Sequence, residues 1–412
     1  MSWSETTIGE IIDRSDSSIQ TGPFGTQLKA SEYQATGTPV INVRNVGYGD
    51  LRKDKLEFLG DQKAHQLKIH SLQNEDIVFG RKGAVDRHLF VAEEQKGWIQ
   101  GSDCIRLRLD PETVLPKFVS FAFRLDRHKN WMLAQSGNKA TMASLNQEII
   151  RRIPFRHPDL PTQERIAGVL SAYDDLIENN RRRIALLEQA ARLLYREWFV
   201  HFRFPGHETT KFVDGLPEGW EAKTIAEVCK TVGGGTPSTK VQSYWDGGDV
   251  TWVTPTDITR NDCLALLDSE KKITREGLQK SSAKIVPPFT ILMTSRASVG
   301  FFGMCDHDVC TNQGFINIIP NHEILRHYML FNLMHRVEEI RLHAGGSTYS
   351  EISKSKFRAL AMILPELQVI AAFDAKISPM MTQVRCMKKS ISELTKARDL
   401  LLPRLMDGRI PV

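Results

Sequence analysis

Nowhere does the chain run through about 18 consecutive apolar residues, so a membrane-spanning helix is not expected. No basic stretch followed by a hydrophobic run opens it either, and without such a secretory signal the protein is expected in the cytoplasm. Paired cysteines are also missing. Cys104, Cys229, Cys263, Cys305, Cys310 and Cys386 are scattered without the spacing of a disulfide framework and read as reduced thiols. Cys305, His307 and Cys310 lie close together, but no second pair completes four ligands, so a zinc site is not expected. Charge of one sign is scarcely in excess: 54 Lys and Arg against 49 Asp and Glu leave a net +5. That balance permits a polyanionic partner without requiring one. At 412 residues there is room for about two to three domains, each with its own core.

The loops of common catalysts are missing as well. A methyltransferase acting on a base amino group needs Asn or Asp ahead of Pro-Pro and an aromatic. The nearest string is Val286-Pro287-Pro288-Phe289, and valine cannot accept the hydrogen bond. No glycine-rich S-adenosylmethionine loop accompanies it. Gly233-Gly234-Gly235-Thr236-Pro237-Ser238-Thr239-Lys240 lacks the glycine before the lysine and the hydroxyl after it, so it is not a phosphate loop. Asp76 or Asp86 with Glu94-Gln95-Lys96 could be drawn as a metal-dependent nuclease core. That spacing is frequent by chance, the second half of the chain offers nothing equivalent, and a surface charge cluster is expected instead.

What is there is a duplication, with a period of roughly 207 to 217 residues. Trp3 and Thr7-Ile8-Gly9-Glu10-Ile11 are echoed by Trp220 and Thr224-Ile225-Ala226-Glu227-Val228. Gly37-Thr38-Pro39-Val40-Ile41 is echoed by Gly247-Gly248-Asp249-Val250-Thr251, and Asp76-Ile77-Val78-Phe79-Gly80-Arg81 by Thr290-Ile291-Leu292-Met293-Thr294-Ser295-Arg296. Each pair reads as a turn feeding a buried strand. The glycine-rich turn at Thr21-Gly22-Pro23 and its counterpart at Gly233-Gly234-Gly235 suggest a close approach of backbone to a ligand, or a tight turn.

Each copy ends in a long heptad helix. The first seam runs Ile166, Leu170, Tyr173, Ile177, Asn180, Ile184, Leu187, Ala191, Leu194, Trp198. The second runs Phe373, Ile377, Met380, Val384, Met387, Ile391, Leu394, Arg398, Leu401, Leu405. Steps of four and three sustained over this length predict coiled-coil pairing, antiparallel within one chain, as a rod with a globular domain at each end. Asn180 can fix register at a cost in stability, Arg398 can hold its charge in water while its stem covers the seam, and Pro379 should kink or interrupt the second helix into two collinear pieces. The basic triplet Arg181-Arg182-Arg183 reads as a solvated helix face. The expected fold class is α+β. Two pseudo-repeated mixed α/β domains (1–158 and 203–362) are joined by two antiparallel coiled-coil helices (159–202 and 363–412).

Both helix entries carry a Pro-rich signature: Ile153-Pro154-Phe155 with Pro158-Asp159-Leu160-Pro161-Thr162-Gln163-Glu164-Arg165-Ile166, and the shorter Ile363-Leu364-Pro365-Glu366-Leu367-Gln368-Val369-Ile370. Proline sets the entry and glutamine sits in the first turn. With Thr21-Gly22-Pro23-Phe24-Gly25, Gly234-Gly235-Thr236-Pro237-Ser238 and Asn312-Gln313-Gly314, this order resembles the specificity subunit of type I restriction-modification systems, over essentially the whole chain. The resemblance implies two target recognition domains, each reading one half of a bipartite site in double-stranded DNA. It further implies a coiled coil that sets their spacing and docks two modification (methyltransferase) subunits, with restriction (translocase and nuclease) subunits joining the complex. No catalytic residue, metal or cofactor is then expected on this chain; S-adenosylmethionine, ATP and Mg belong to the partners. For DNA contact the residues of choice are Thr21, Gly22, Lys29, Arg44, Asn45, Arg81, Lys82, Lys139 and Thr141 in the first copy. In the second they are Gly234, Thr236, Ser238, Thr256, Arg296, Ser298, Thr348 and Tyr349. The alternatives are a metal-dependent nuclease and a coiled-coil assembly protein that never binds DNA.

Overall fold

The computed structural model describes residues 3–53, 55–137, 144–345 and 350–412. The chain divides into two compact units, Met1–Asp175 with Thr395–Val412, and Leu176–Leu394. Among the described residues, no helix is long and apolar enough to cross a membrane.

The first unit is built on a five-stranded sheet in the order Ser18–Thr21, Cys104–Arg108, Ile77–Gly80, His88–Phe90, Tyr48–Gly49. Strands form here because apolar residues fill both faces of the pleat. Ile77 and Phe79 point into one core with Ile105 and Leu107, while Val78 points into another with Ile41 and Cys104. The second unit repeats the scheme in four strands, Cys229–Gly233, Phe315–Pro320, Ile291–Thr294, Phe302–Gly303. There Ile291 and Met293 share a core with Ile316 and Ile318, and Leu292 shares the other with Phe315. Register fixes the equivalences. Ile105 faces Thr21 and Phe79, and Ile316 faces Gly233 and Met293. Arg296 therefore corresponds to Lys82 rather than to Arg81.

The long helices are α1, Leu160–Phe199, and α2, Leu367–Met406, each 40 residues. α1 starts where the Asp159 carboxylate accepts the Thr162 amide at 3.0 Å, an N-cap. Gln163 is buried in the first turn, donating to the Pro158 carbonyl at 2.9 Å and accepting the Leu115 amide at 2.9 Å. Its counterpart Gln368 is exposed.

Within the second unit Trp198 and Phe199 meet Phe373, with ring centroids 5.8 and 5.0 Å apart, while Asn180 donates to Ser390 at 3.3 Å. Numbers rise on one helix as they fall on the other, which is antiparallel pairing. Asn180 thus spends its amide across the seam, the use that favours one register. Ile177, Ile184, Phe373, Ile377, Val384 and Ile391 are buried in this seam, with Leu187, Leu194 and Leu394 packed at its margin. In the first unit Ile166 and Leu170 are buried with Leu402, Leu405 and Met406, and Leu401 lies alongside. Met381 and Leu402 are buried one place beyond the expected Met380 and Leu401, because a 3.6-residue turn drifts against a seven-residue repeat.

Two expectations about α2 are corrected. The helix is continuous through Pro379. The proline is exposed and so is Ala375, whose carbonyl loses its intrahelical donor; water can take that carbonyl on the open face. Arg398 does not leave its charge to water alone. It pairs with Asp174 at 2.7 Å and with Asp399 at 2.8 Å, and Asp174 also takes Arg124 at 2.7 Å. Burial alone would push the Asp174 carboxyl up; the two guanidiniums outweigh it and hold the group below its ordinary value.

Asp174→Ala takes the carboxylate from Arg124 and leaves Arg398 with Asp399 alone, and is expected to destabilise the first unit by about 2 kcal/mol, below the fully buried case because the cluster is partly wet. Because the folded value is depressed, this contribution is complete above the unfolded value near 3.8 and drains as pH falls through the folded one. Urea melts at neutral pH and near pH 3 should therefore show a smaller gap between wild type and variant at the lower pH. An equal gap would refute the ion-pair account.

Candidate nucleic-acid interface

In both units the loops that leave the sheet at one end converge on a pinned glycine. The Gly22 amide donates to the Cys104 carbonyl at 2.9 Å, and a Cβ there would lie 1.9 Å from the Gly101 oxygen. A Cβ at Gly234 would likewise lie 1.9 Å from the Asn312 oxygen. Gly101 and Asn312 are themselves equivalent, donating to the carbonyls of Ile41 at 2.9 Å and Val253 at 3.0 Å. The close approach that requires glycine is therefore to the protein's own crossing backbone, not to a ligand.

Around this point the first unit gathers Thr21, Arg81 and Lys82. The Thr21 hydroxyl accepts from Gln147 at 3.0 Å. The Arg81 amide donates to Asp103 at 2.7 Å, and its carbonyl accepts from Leu145 at 2.8 Å. Lys82 faces the Asp103 carboxylate at 3.5 Å, with both side chains about half exposed. Arg44 is held to Glu57 at 2.7 Å, and Lys29 is exposed at the start of the Ala30–Glu32 turn of helix. Asn45 leaves the set of candidate DNA readers. It is fully buried, its side-chain oxygen accepting the Asn42 amide at 3.1 Å and its amide donating to the Arg52 carbonyl at 3.0 Å, so it shapes the loop from within.

The second unit gathers Gly234, Thr236, Ser238, Thr256, Arg296 and Ser298 on two loops and the short helix Pro255–Thr259, all beside the turn at Gln313 and Gly314. Thr236 hydrogen-bonds Gln313, Pro255 abuts Gly314 beside exposed Thr256, and the Ser295 amide donates to Gly314 at 2.8 Å. Arg296 faces Glu351 at 3.6 Å, and the Ser298 amide donates to the Arg296 carbonyl at 2.8 Å. Ser238 is exposed. Lys139, Thr141, Thr348 and Tyr349 lie outside the described residues.

Long, half-exposed ion pairs such as Lys82 with Asp103 and Arg296 with Glu351 contribute little to stability, so either cation can be surrendered to a phosphate at small cost. The residues that hold the loops were not legible. Trp252 donates its indole N–H to the Gly235 carbonyl at 2.9 Å and Trp245 donates to Ser238 at 3.1 Å, the two rings meeting edge to face. Lys354 lies against Gly233, at the position Gln147 holds beside Thr21. Only the repeat offset between Gln147 and Lys354 could have pointed to them.

The alternative chemistries fare poorly. Asp76 is buried and gripped by Arg108 through two contacts of 2.7 Å, with the Gln73 amide at 2.7 Å; Asp86 accepts the Tyr48 hydroxyl at 2.6 Å. Burial pushes the Cys305 thiol up to about 12 and that of Cys310 to about 11, and His307 bonds Thr251 at 3.2 Å. Among the described residues no three His, Cys, Asp or Glu side chains gather as a ligand set.

Comparison with known proteins gives the same picture. The chain is 32% identical over 208 residues to the specificity subunit of the type I restriction enzyme MjaIX from Methanocaldococcus jannaschii, a match spanning 48% of either chain. To the specificity subunit of the type I restriction enzyme HindI from Haemophilus influenzae it is 23% identical, over 82% of this chain and 87% of that one. The fold matches a crystal structure of a type I restriction-modification S subunit from M. genitalium with a TM-score of 0.60 at 15% identity, covering 98% and 96% of the two chains. The family described as type I restriction modification DNA specificity domain matches residues 3–189 and again 217–396. The chain belongs to that family and carries its domain twice.

Proposed function

We propose that this protein is the DNA-reading subunit of a type I restriction-modification complex in the cytoplasm. Each domain reads one half of a bipartite duplex target. The paired helices set the spacing between the halves and dock two modification subunits, and restriction subunits complete the complex. One observation carries the reading: the same scaffold recurs at the strand ends of both units while the side chains it presents differ, Lys82 for Arg296, Gln147 for Lys354, Phe24 for Thr236. A constant frame with changed side chains suits two readers of different sequence. Methyl transfer, translocation and cleavage, with their S-adenosylmethionine, ATP and Mg, then belong to the partners.

The complex with its modification subunits is expected to bind duplex with an affinity that falls steeply with salt, by a log–log slope of about 0.9 for each phosphate neutralised. The purified chain alone is expected neither to methylate nor to cut. Activity of the chain alone, in proportion to its concentration, would overturn the assignment, as would salt-insensitive binding by the complex.

A further inference from the structure

The loop between Gly22 and Lys29 has an architecture that its fold does not require. Pro23 and Leu28 are buried and anchor its two ends. Between them the backbone of Phe24 is fully committed: its amide donates to the Gln27 side-chain oxygen at 3.0 Å, and its carbonyl accepts from the amides of Gln27 at 2.7 Å and Leu28 at 3.2 Å. The turn is thus tied down, yet Phe24 at its head is 66% exposed. A single exposed apolar residue is ordinary on a protein surface. This one is held in place by three hydrogen bonds, beside the pinned Gly22 and on the chain segment that carries Thr21 and Lys29.

The next residue adds an independent observation. Gly25 has neither of the usual reasons to be glycine. A Cβ there would meet nothing within 4 Å, and its φ lies outside the left-handed region. What a glycine in open space leaves is room for something from outside to approach the backbone closely.

We infer that Phe24 is a base-contacting residue of the first domain, its ring bearing on the apolar surface of a base in the half-site while Gly25 lets the duplex close on the turn. This rests on the DNA-reading function proposed above. An aromatic ring can meet two such surfaces, the C5-methyl of a thymine in the major groove or the face of a partly unstacked base. The inference is specific to one half of the target. Counting from the equivalent glycines, the second domain places Thr236 where the first has Phe24, and that hydroxyl is engaged with Gln313.

The test uses the complex assembled with its modification subunits, on the target defined by methylome sequencing and on a scrambled duplex at the same salt. Phe24→Ala is expected to weaken target binding by about tenfold to a hundredfold and to leave scrambled binding unchanged. Gly25→Val is expected to do the same, with melting curves of both variants matching wild type. Uracil for thymine in the first half-site should reproduce the loss if a methyl is contacted, and 2-aminopurine there should brighten on binding if a base is unstacked; the same changes in the second half-site should do neither. Wild-type affinity in Phe24→Ala, or an equal loss on both duplexes, would overturn the inference. A wild-type complex that does not distinguish target from scrambled duplex would instead remove the DNA-reading function, and this inference with it.

Discussion

Gly22→Val is expected to unfold the reading loops of the first unit and leave the second intact, and Gly234→Val to do the reverse. In each case the new Cβ would stand 1.9 Å from a backbone oxygen, Gly101 in one and Asn312 in the other. A flexible side chain could step aside; a strand end tied by its own ladder cannot. The cost is about 3 kcal/mol, at the upper end for overpacking. Hydrogen exchange read by peptide mass should show lost protection confined to the altered unit, and methylation of the complete system should fail because both half-sites must be read. Gly25→Ala, in open space, is the matched control, expected within about 0.5 kcal/mol of wild type. If Gly22→Val and Gly234→Val melt like wild type, the pinning described here is not what holds these loops.

Replacing Gly219 through Leu364 with the equivalent stretch of a relative is expected to change one half of the DNA target completely and leave the other half as it was. The boundaries follow the structure. Glu221–Thr224 pairs along its length with Ala361–Leu364, so the two strands travel together and the exchanged piece closes on itself. Its reading loops are held from within by Trp245, Trp252 and Gln313, all inside the exchanged stretch. Methylome sequencing of cells carrying the hybrid gives the answer directly. Alteration of both halves would show that the domains do not read independently.

Much of this was legible because it is written in periodic terms. A seam of apolar residues at steps of four and three can only be satisfied by a partner helix, and a duplicated order of turns and strands can only be a duplicated fold. The site was less legible, because its residues act through geometry that periodicity does not encode. Asn45 had the chemistry of a base reader, but an amide has two ends and the loop uses both. Asp76 had the chemistry of a metal ligand, but Arg108 lies 32 residues away in sequence and beside it in space. The single-residue slip between Arg81 and Lys82 as the partner of Arg296 arose because matching by residue type cannot see which carbonyl faces which amide. Pro379 misled for a different reason: a propensity measured on isolated helices bears less on a helix whose Phe373, Ile377, Met381 and Val384 are buried to either side of the proline.

The first unit is assembled from two stretches far apart in the chain, Met1–Asp175 and Thr395–Val412. During synthesis its sheet, its loops and its share of α1 are all made before the second unit, yet Leu402, Leu405 and Met406 of its core, and the Arg398 that Asp174 awaits, emerge only after it. The second unit is one unbroken run, complete before that moment. The unit begun earlier is thus completed after the other, and a premature stop codon at the start of Thr395–Val412 would injure the reader built mainly from Met1–Asp175.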